Sequence, residues 1–224
     1  MFIDTVDVNE VEEISGWGVV SGCTTNPLIV ANNASIGGKL DLKKRVMSIV
    51  DALKKPVSVE LLSEKAGEMV EEARKYHSWN REYINIKVPF SADGLKVINV
   101  LERKENIRTN ATCIMSFNQA LLAALAGATY VSIFAGRIRD MGYDPAPVIS
   151  DTAEFISSRG LSSSIIVGSV RHIMDVNDAF KAGAHIVTVT PDILRKMLRN
   201  PRTEETIKEF NDKFHSAREK GMIS

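Results

Sequence analysis

The chain has 224 residues, with 28 basic and 28 acidic side chains, a formal net charge of zero and only two cysteines. Balanced charge gives no electrostatic basis for binding nucleic acid or an anionic membrane, and two cysteines are too few for a disulfide framework. Because the sequence has neither the pattern of a signal peptide nor a long apolar run, we expect a cytoplasmic protein with no nucleic-acid or membrane partner.

Short strand-like segments alternate with helical patterns along the chain. We predict eight strands, at residues 1–5, 18–24, 57–61, 84–88, 108–114, 129–134, 164–168 and 185–189. We predict helices between them, at residues 39–54, 64–77, 92–104, 116–126, 146–159 and 173–182. Eight such units in a chain of this length favour an α/β fold, a (β/α)8 TIM barrel forming a single domain over residues 1–224.

An open, doubly wound sheet is the competing architecture. It would need a glycine-rich phosphate loop directly after the first strand, and none is present. The sequence Gly16-Trp17-Gly18 instead follows a helical segment and precedes a strand. The barrel is therefore the better prediction.

One more helix is predicted after the eighth unit, at about residues 204–220. Its faces are charged, and Ile207, Phe210 and Phe214 are its apolar points. We expect this additional C-terminal helix either to cap its own barrel or to dock on a neighbouring subunit.

Lys87 is the most informative residue of the chain. It alternates with the apolar Ile86 and Val88, so it leaves the strand on the opposite face. Glu60 and Asn110 occupy the polar positions of the flanking strands, as does Thr112. A lysine that extends out of the barrel mouth would be the simplest interpretation. A desolvated lysine among matching polar groups can instead act as a nucleophile, forming a Schiff base with a carbonyl compound.

Other polar residues near predicted strand ends allow two interpretations each. Asp4 could cap a helix or act as a general base near the lysine. Arg137 and Arg171 could form surface ion pairs or, together with Ser169, bind a phosphate group. The histidines show no spacing typical of a metal site, so no metal is expected.

Seven motifs in order resemble the transaldolase family, in its short bacterial and archaeal branch, over almost the whole chain. They are Asp4-Thr5, Thr24-Thr25-Asn26-Pro27, Val59-Glu60, Ile86-Lys87-Val88-Pro89, Asn110-Ala111-Thr112, residues 132–138, and Ser169-Val170-Arg171.

The resemblance implies specific catalytic roles. Lys87 is similar to the Schiff-base lysine that attacks the ketone of a ketose phosphate, and Asp4 to the base that removes the C4 hydroxyl proton. Glu60 and Thr112 resemble the pair that handles a catalytic water. An iminium ion would supply the electron sink, so no metal or organic cofactor is expected.

The resemblance also implies binding roles and partners. Asn26, Asn110 and Ser132 resemble residues that hold the dihydroxyacetone unit, and Arg137, Ser169 and Arg171 resemble a phosphate clamp. The substrate-binding set would also include Thr25 and Phe134. The expected partners are sugar phosphates of the non-oxidative pentose phosphate pathway and further copies of the chain, as a pentamer or decamer assembled through the C-terminal helix.

Two alternatives remain at this point. Fructose-6-phosphate aldolases resemble transaldolases but release free dihydroxyacetone; they tend to carry glutamine where this chain has Glu60 and tyrosine where it has Phe134. Both residues favour the transferase. A non-catalytic barrel that binds sugar phosphates is the other alternative, since a fold does not dictate a function.

Overall fold

The computed structural model describes residues 1–223, apart from the side chains at positions 36 and 37. Within this range, eight parallel strands pair in chain order and close into a barrel. The strands are β1 Phe2–Asp4, β2 Cys23–Thr24, β3 Val57–Glu60, β4 Ile84–Pro89, β5 Thr109–Ile114, β6 Tyr130–Phe134, β7 Ser164–Gly168 and β8 Ile186–Val189. The predicted (β/α)8 barrel is confirmed.

Helices connect the strands and follow the last one. They are α1 Val8–Ser15, α2 Pro27–Gly37, α3 Leu42–Leu53, α4 Ala66–His77, α5 Ala92–Lys104, α6 Phe117–Ala126, α7 Ala135–Asp140, α8 Pro145–Ser158, α9 Ile173–Lys181, α10 Pro191–Met197 and α11 Pro201–Glu219. The predicted tail helix is present and begins earlier than expected, because Asn200 caps it and Pro201 takes its first position.

The second strand is much shorter than the predicted segment 18–24. Gly18 has a φ of +74°, which interrupts extended backbone. At Gly22 a Cβ atom would lie 2.4 Å from the ring of Phe2, so the ring occupies the side-chain space at this point. Regular pairing therefore begins only at Cys23.

Both faces of the strands are buried, as in parallel sheets generally. The outward residues of β4, Ile84, Ile86 and Val88, are completely buried. The inward positions of the neighbouring strands include Ser58 on β3 and Asn110 on β5, which are polar and equally buried. Burying such groups is costly unless they are hydrogen-bonded, and Asn110 Nδ2 donates to Ser58 Oγ over 3.2 Å. The barrel interior is thus polar near β3 and β5.

Asn85 is an exception in this interior. It is completely buried on β4, and neither atom of its side-chain amide has a hydrogen-bond partner among the described residues. An unsatisfied buried polar group costs about 1–3 kcal/mol. We predict that Asn85→Leu, which keeps the approximate volume, raises the free energy of unfolding by about 1 kcal/mol in a denaturant titration.

The matched control for this prediction is Asn110→Leu. Asn110 accepts from Ser132 Oγ over 2.7 Å and donates to Ser58, so its loss leaves two hydroxyls unpaired. We expect this variant to be destabilised by about 1–3 kcal/mol. A destabilised Asn85→Leu protein would contradict the prediction and indicate that buried water satisfies the amide.

The chain forms two compact units, Met1–Pro191 and a second beginning at Asp192. The second contains α11, whose apolar residues Ile207, Phe210 and Phe214 are at least half exposed. The single-domain organisation over residues 1–224 stays a prediction. Among the described helices, none has the length and apolarity needed to cross a membrane.

Candidate active site

A cavity of about 460 Å³ opens at the carboxyl ends of the strands, inside the first unit. This is the end of a barrel where parallel strands direct their last side chains into one space. Eight of the predicted site residues line the cavity, and they are Asp4, Asn26, Glu60, Lys87, Ser132, Phe134, Arg137 and Ser169.

Lys87 is held inside this cavity by groups from three other segments. Its Nζ lies 2.9 Å from Glu60 Oε2 and donates to the carbonyl oxygen of Thr25 over 3.1 Å. The amine also lies 5.8 Å from the centre of the Phe134 ring. With 4% of its side chain exposed, the lysine does not extend into solvent. Its amine is therefore fixed at the floor of the cavity, where a carbonyl carbon could reach it.

Asp4 provides a second carboxyl group in the same cavity. Thr24 Oγ1 donates to Asp4 Oδ1 over 2.7 Å, and the Thr24 and Thr188 hydroxyls lie 2.6 Å apart. Burial raises the pKa of Asp4; the positive charge of Lys87 and the bond from Thr24 oppose this effect, and the charge of Glu60 adds to it. A carboxyl with a raised pKa is suited to accept and return a proton near neutral pH.

Three predicted residues are buried and are not among the residues that line the cavity. Thr25 is buried and donates through Oγ1 to the backbone oxygen of Ser58 over 2.9 Å. Asn110 is buried in the polar network described above. Thr112 is completely buried, and its Oγ1 has no hydrogen-bond partner of regular geometry in the described part of the chain. Thr25 accepts from the lining residue Lys87 and Asn110 from the lining residue Ser132, and the roles of all three stay predictions.

Asn26 illustrates how the local fold creates the site. Its Oδ1 accepts from the backbone N–H of Ile29 over 2.9 Å, which caps α2, and Pro27 occupies the first position of that helix. The Asn-Pro pair therefore starts α2 two residues after β2 ends, and both residues line the cavity. The side-chain Nδ2 is the atom of Asn26 that this cap does not use.

Of the three residues predicted to bind a phosphate group, only two line the cavity. Arg137 on α7 and Ser169 after β7 line the cavity, but Arg171 lies outside the set of described residues that do so. Its guanidinium forms a bidentate ion pair with Asp140, in which Nη1 donates over 2.6 Å. A ligand phosphate would have to share Arg171 with this carboxylate.

Gly136 allows the two arginine-bearing segments to approach each other. Its backbone N–H donates to the carbonyl oxygen of Ser169 over 3.0 Å. A Cβ atom at this position would lie 2.1 Å from the same oxygen, closer than any tolerable contact. The absence of a side chain therefore brings the start of α7 against the β7–α9 connection.

Several cavity residues were not predicted from the sequence. They are Thr24, Pro27, Leu28, Ile29, Asn32, Cys113, Gly168, Thr188 and Thr190. The inward parity of Thr24 and Thr188 could have identified two of them. Cys113 follows the inward Thr112, so strict alternation places it on the outer face. Its φ of +62° and the register shift of β5 between Ala111 and Ile114 turn it to the cavity instead.

Cys113 should be the site of selective alkylation. It is exposed and lines the cavity, whereas Cys23 is buried with a pKa raised to about 12. Burial and then the charge of Glu60 raise the pKa of Cys113, so its reaction should be slow at neutral pH and faster above the ordinary cysteine value of about 8.5. We expect mass spectrometry to show one iodoacetamide adduct, at Cys113, with loss of activity.

Cys113→Ala is the control for this experiment, and it should retain activity after the same treatment. Adduct formation at Cys23 alone, or full activity of the protein modified at Cys113, would contradict the assignment of Cys113 to the cavity.

In residues 1–223 no group of three or more histidine, cysteine, aspartate and glutamate side chains has the arrangement of a metal site. The functional groups that line the cavity are an amine, two carboxyl groups, hydroxyls, a thiol, side-chain amides and an arginine. A barrel that encloses a lysine beside two carboxyl groups is equipped to act on carbonyl compounds.

Comparison with known proteins defines the family. The family model described as "Transaldolase/Fructose-6-phosphate aldolase" matches residues 1–223, so the chain belongs to this family. The relatives include a "Probable transaldolase" of Symbiobacterium thermophilum, 41% identical over 97% of this chain and 98% of the relative. Proteins with the same description from a Thermoanaerobacter species and Shouchella clausii are each 40% identical; the alignments cover 96% and 93% of this chain and 97% and 94% of the relatives. The resemblance inferred from the motifs is confirmed.

Proposed function

We propose that the protein is a transaldolase, which transfers a dihydroxyacetone unit from a ketose phosphate to an aldose phosphate through a Schiff base on Lys87. The donor would be sedoheptulose 7-phosphate or fructose 6-phosphate, and the acceptor glyceraldehyde 3-phosphate or erythrose 4-phosphate. The observation that carries the proposal is the buried Lys87 amine, 2.9 Å from Glu60 in a cavity that also holds Asp4.

The reaction would begin with attack by Lys87 on the C2 carbonyl of the ketose. Because Nζ contacts the Glu60 carboxylate, Glu60 is the nearest group that can take the proton and leave a free amine. The attack forms a carbinolamine, and proton donation to its hydroxyl lets water depart and leaves an iminium ion. Glu60 and Thr112 are proposed to handle this water, in agreement with the buried Thr112 Oγ1, which has no hydrogen-bond partner of regular geometry among the described residues.

Carbon–carbon cleavage would follow from the iminium ion. Asp4 takes the proton of the C4 hydroxyl, the C4–O bond becomes a carbonyl, and the electrons of the C3–C4 bond move to the iminium nitrogen. The aldose phosphate leaves, and an enamine stays on Lys87. The raised pKa of Asp4 supports this role, since the carboxylate must accept a proton from an alcohol. Addition of the enamine to an acceptor aldehyde reverses the sequence.

Substrate binding is proposed to divide between two ends of the cavity. Asn26, Asn110 and Ser132 would hold the dihydroxyacetone unit, with Thr25 and Phe134 as further substrate-binding residues. The phosphate would lie at the other end, against Arg137, Ser169 and Arg171. Arg137 and Ser169 already line the cavity, which supports this placement. Arg171 would contribute the donors that its pairing with Asp140 does not use, because a guanidinium has five N–H groups.

The aldolase is the second candidate, because the family includes both activities. Glu60 and Phe134 favour the transferase, because fructose-6-phosphate aldolases tend to carry glutamine and tyrosine at these positions. The test is to incubate the protein with fructose 6-phosphate and erythrose 4-phosphate and to quantify both products. We expect sedoheptulose 7-phosphate to dominate. Free dihydroxyacetone as the main product would support the aldolase, and the absence of both products would support a binding protein.

We further propose a cytoplasmic homo-oligomer, a pentamer or decamer, assembled through α11. The exposed Ile207, Phe210 and Phe214 support this, because they recur on one side of a helix with charged surroundings. Deleting residues 201–224 should reduce the mass measured by light scattering to that of a smaller species. An unchanged mass would contradict the proposed role of the helix.

A further inference from the structure

We propose that the ion pair between Arg139 and Asp175 is a positioning device that sets the affinity of the site for the phosphate of the sugar. The inference rests on the proposed function, in which Arg137, Ser169 and Arg171 bind that phosphate. Arg139 and Asp175 would not touch the substrate. They would act by fixing the two segments that carry the phosphate-binding residues.

Asp175 anchors the backbone on one side of the phosphate-binding region. Its side chain is 4% exposed, and Oδ2 accepts from the backbone N–H groups of Arg171 and His172, both over 2.9 Å. An acidic residue at this place in a helix commonly accepts from one N–H group at the helix start. Here the carboxylate holds two consecutive residues of the connection that follows Ser169 and also pairs with Arg139.

Arg139 lies on α7, two residues beyond Arg137, so its ion pair with Asp175 links α7 to the connection that Asp175 holds. With six residues, α7 is too short to be stable by itself, so its place depends on contacts with its surroundings. The Gly136–Ser169 hydrogen bond and the Asp140–Arg171 ion pair are further links to the β7–α9 connection. The distance between Arg137 and Ser169 therefore depends on how firmly these links hold.

The Arg139–Asp175 pair should be stronger than the other ion pairs nearby. Asp140 and Arg171 are 41% and 48% exposed, and the second partner of Arg139, Asp178, is 45% exposed at 3.5 Å. Exposed pairs contribute little because water screens them. Asp175 is 4% exposed although Arg139 is 39% exposed, so water screens this pair from the arginine side only, and the buried charge of Asp175 depends on Arg139 and on the two backbone N–H groups. Loss of Arg139 should loosen α7 against the connection and displace Arg137 from Ser169.

The test compares a phosphorylated with an unphosphorylated ligand in Arg139→Gln. We expect the KM for fructose 6-phosphate to rise about tenfold with kcat changed less than about twofold, because a misplaced binding group weakens substrate binding while Lys87 is unaffected. Dihydroxyacetone, which has no phosphate, should form the borohydride-reduced adduct on Lys87 with an unchanged concentration dependence.

Three further variants make the test decisive. Arg139→Lys keeps the charge and should recover part of the affinity, and Asp178→Asn, the matched control, should change the KM less than about twofold. If Arg139→Gln unfolds, the pair Arg139→Gln with Asp175→Asn removes both charges and should show the same rise in KM. An unchanged KM, or equal losses with both ligands, would overturn the inference. Absence of any adduct in the unaltered protein would instead refute the proposed function.

Discussion

Replacing Lys87 with methionine should reduce dihydroxyacetone transfer by about 10⁴-fold or more, because no other group in the cavity can form an iminium ion with the ketose. Methionine has a similar length and no amine. The Glu60 carboxyl group would lose its partner at 2.9 Å, and we therefore expect a modest loss of stability as well. The measurement is a coupled assay of sedoheptulose 7-phosphate formation, together with a thermal melt of the same preparation.

Lys96→Met is the matched control. Lys96 lies on α5, is 69% exposed and pairs only with Asp93 among the residues described, at 2.7 Å. Its replacement should leave the rate of transfer within about twofold of the unaltered protein. Residual transfer above about 1% in a folded Lys87→Met protein would contradict covalent catalysis by this lysine.

Replacing Asp4 with asparagine should lower kcat by about 10²–10⁴-fold, the usual range for removal of a general acid or base. Asparagine can still accept the hydrogen bond from Thr24 but cannot take the proton of the C4 hydroxyl. Since Lys87 is intact, the Schiff base with fructose 6-phosphate should still form. We therefore expect the reduced adduct to retain all six carbons of the sugar, which mass spectrometry can determine.

The same variant should be more stable than the unaltered protein at neutral pH. Burial raises the pKa of Asp4 in the folded state, so the folded protein binds this proton more tightly than the unfolded chain does. Its free energy of unfolding consequently falls as pH rises from about 3.9, the ordinary aspartate value, through the raised value. The Asp4→Asn protein lacks this penalty, so its stability gain should vanish at low pH. The explanation would be contradicted if the stability gain of Asp4→Asn over the unaltered protein were smaller at pH 7 than at pH 4.

The barrel and much of its cavity were predictable because both depend on periodic patterns. Along each strand, side chains alternately face the helices and the barrel interior. This period of two places Glu60 and Lys87, on neighbouring strands, toward the barrel interior. The register of the two strands pairs these residues directly. The alternation was visible in the sequence, whereas the register that brings the two side chains into contact is seen in the structure.

Features that depend on single backbone angles or long-range pairs were not predictable in the same way. The positive φ of Cys113 reverses the face on which its side chain lies, and no neighbouring residue indicates this. The pairing of Arg171 with Asp140 joins residues 31 positions apart, and only the folded arrangement of α7 brings them together. For this reason the sequence suggested two equivalent phosphate-binding arginines, whereas in the structure only Arg137 of the two lines the cavity.

Borohydride trapping tests the central claim most directly. The protein is incubated with fructose 6-phosphate, reduced, digested and mapped by mass spectrometry. The account predicts a stable sugar-derived adduct on Lys87 that disappears in Lys87→Met. An unmodified protein, or an adduct on any other lysine that persists in Lys87→Met, would contradict it.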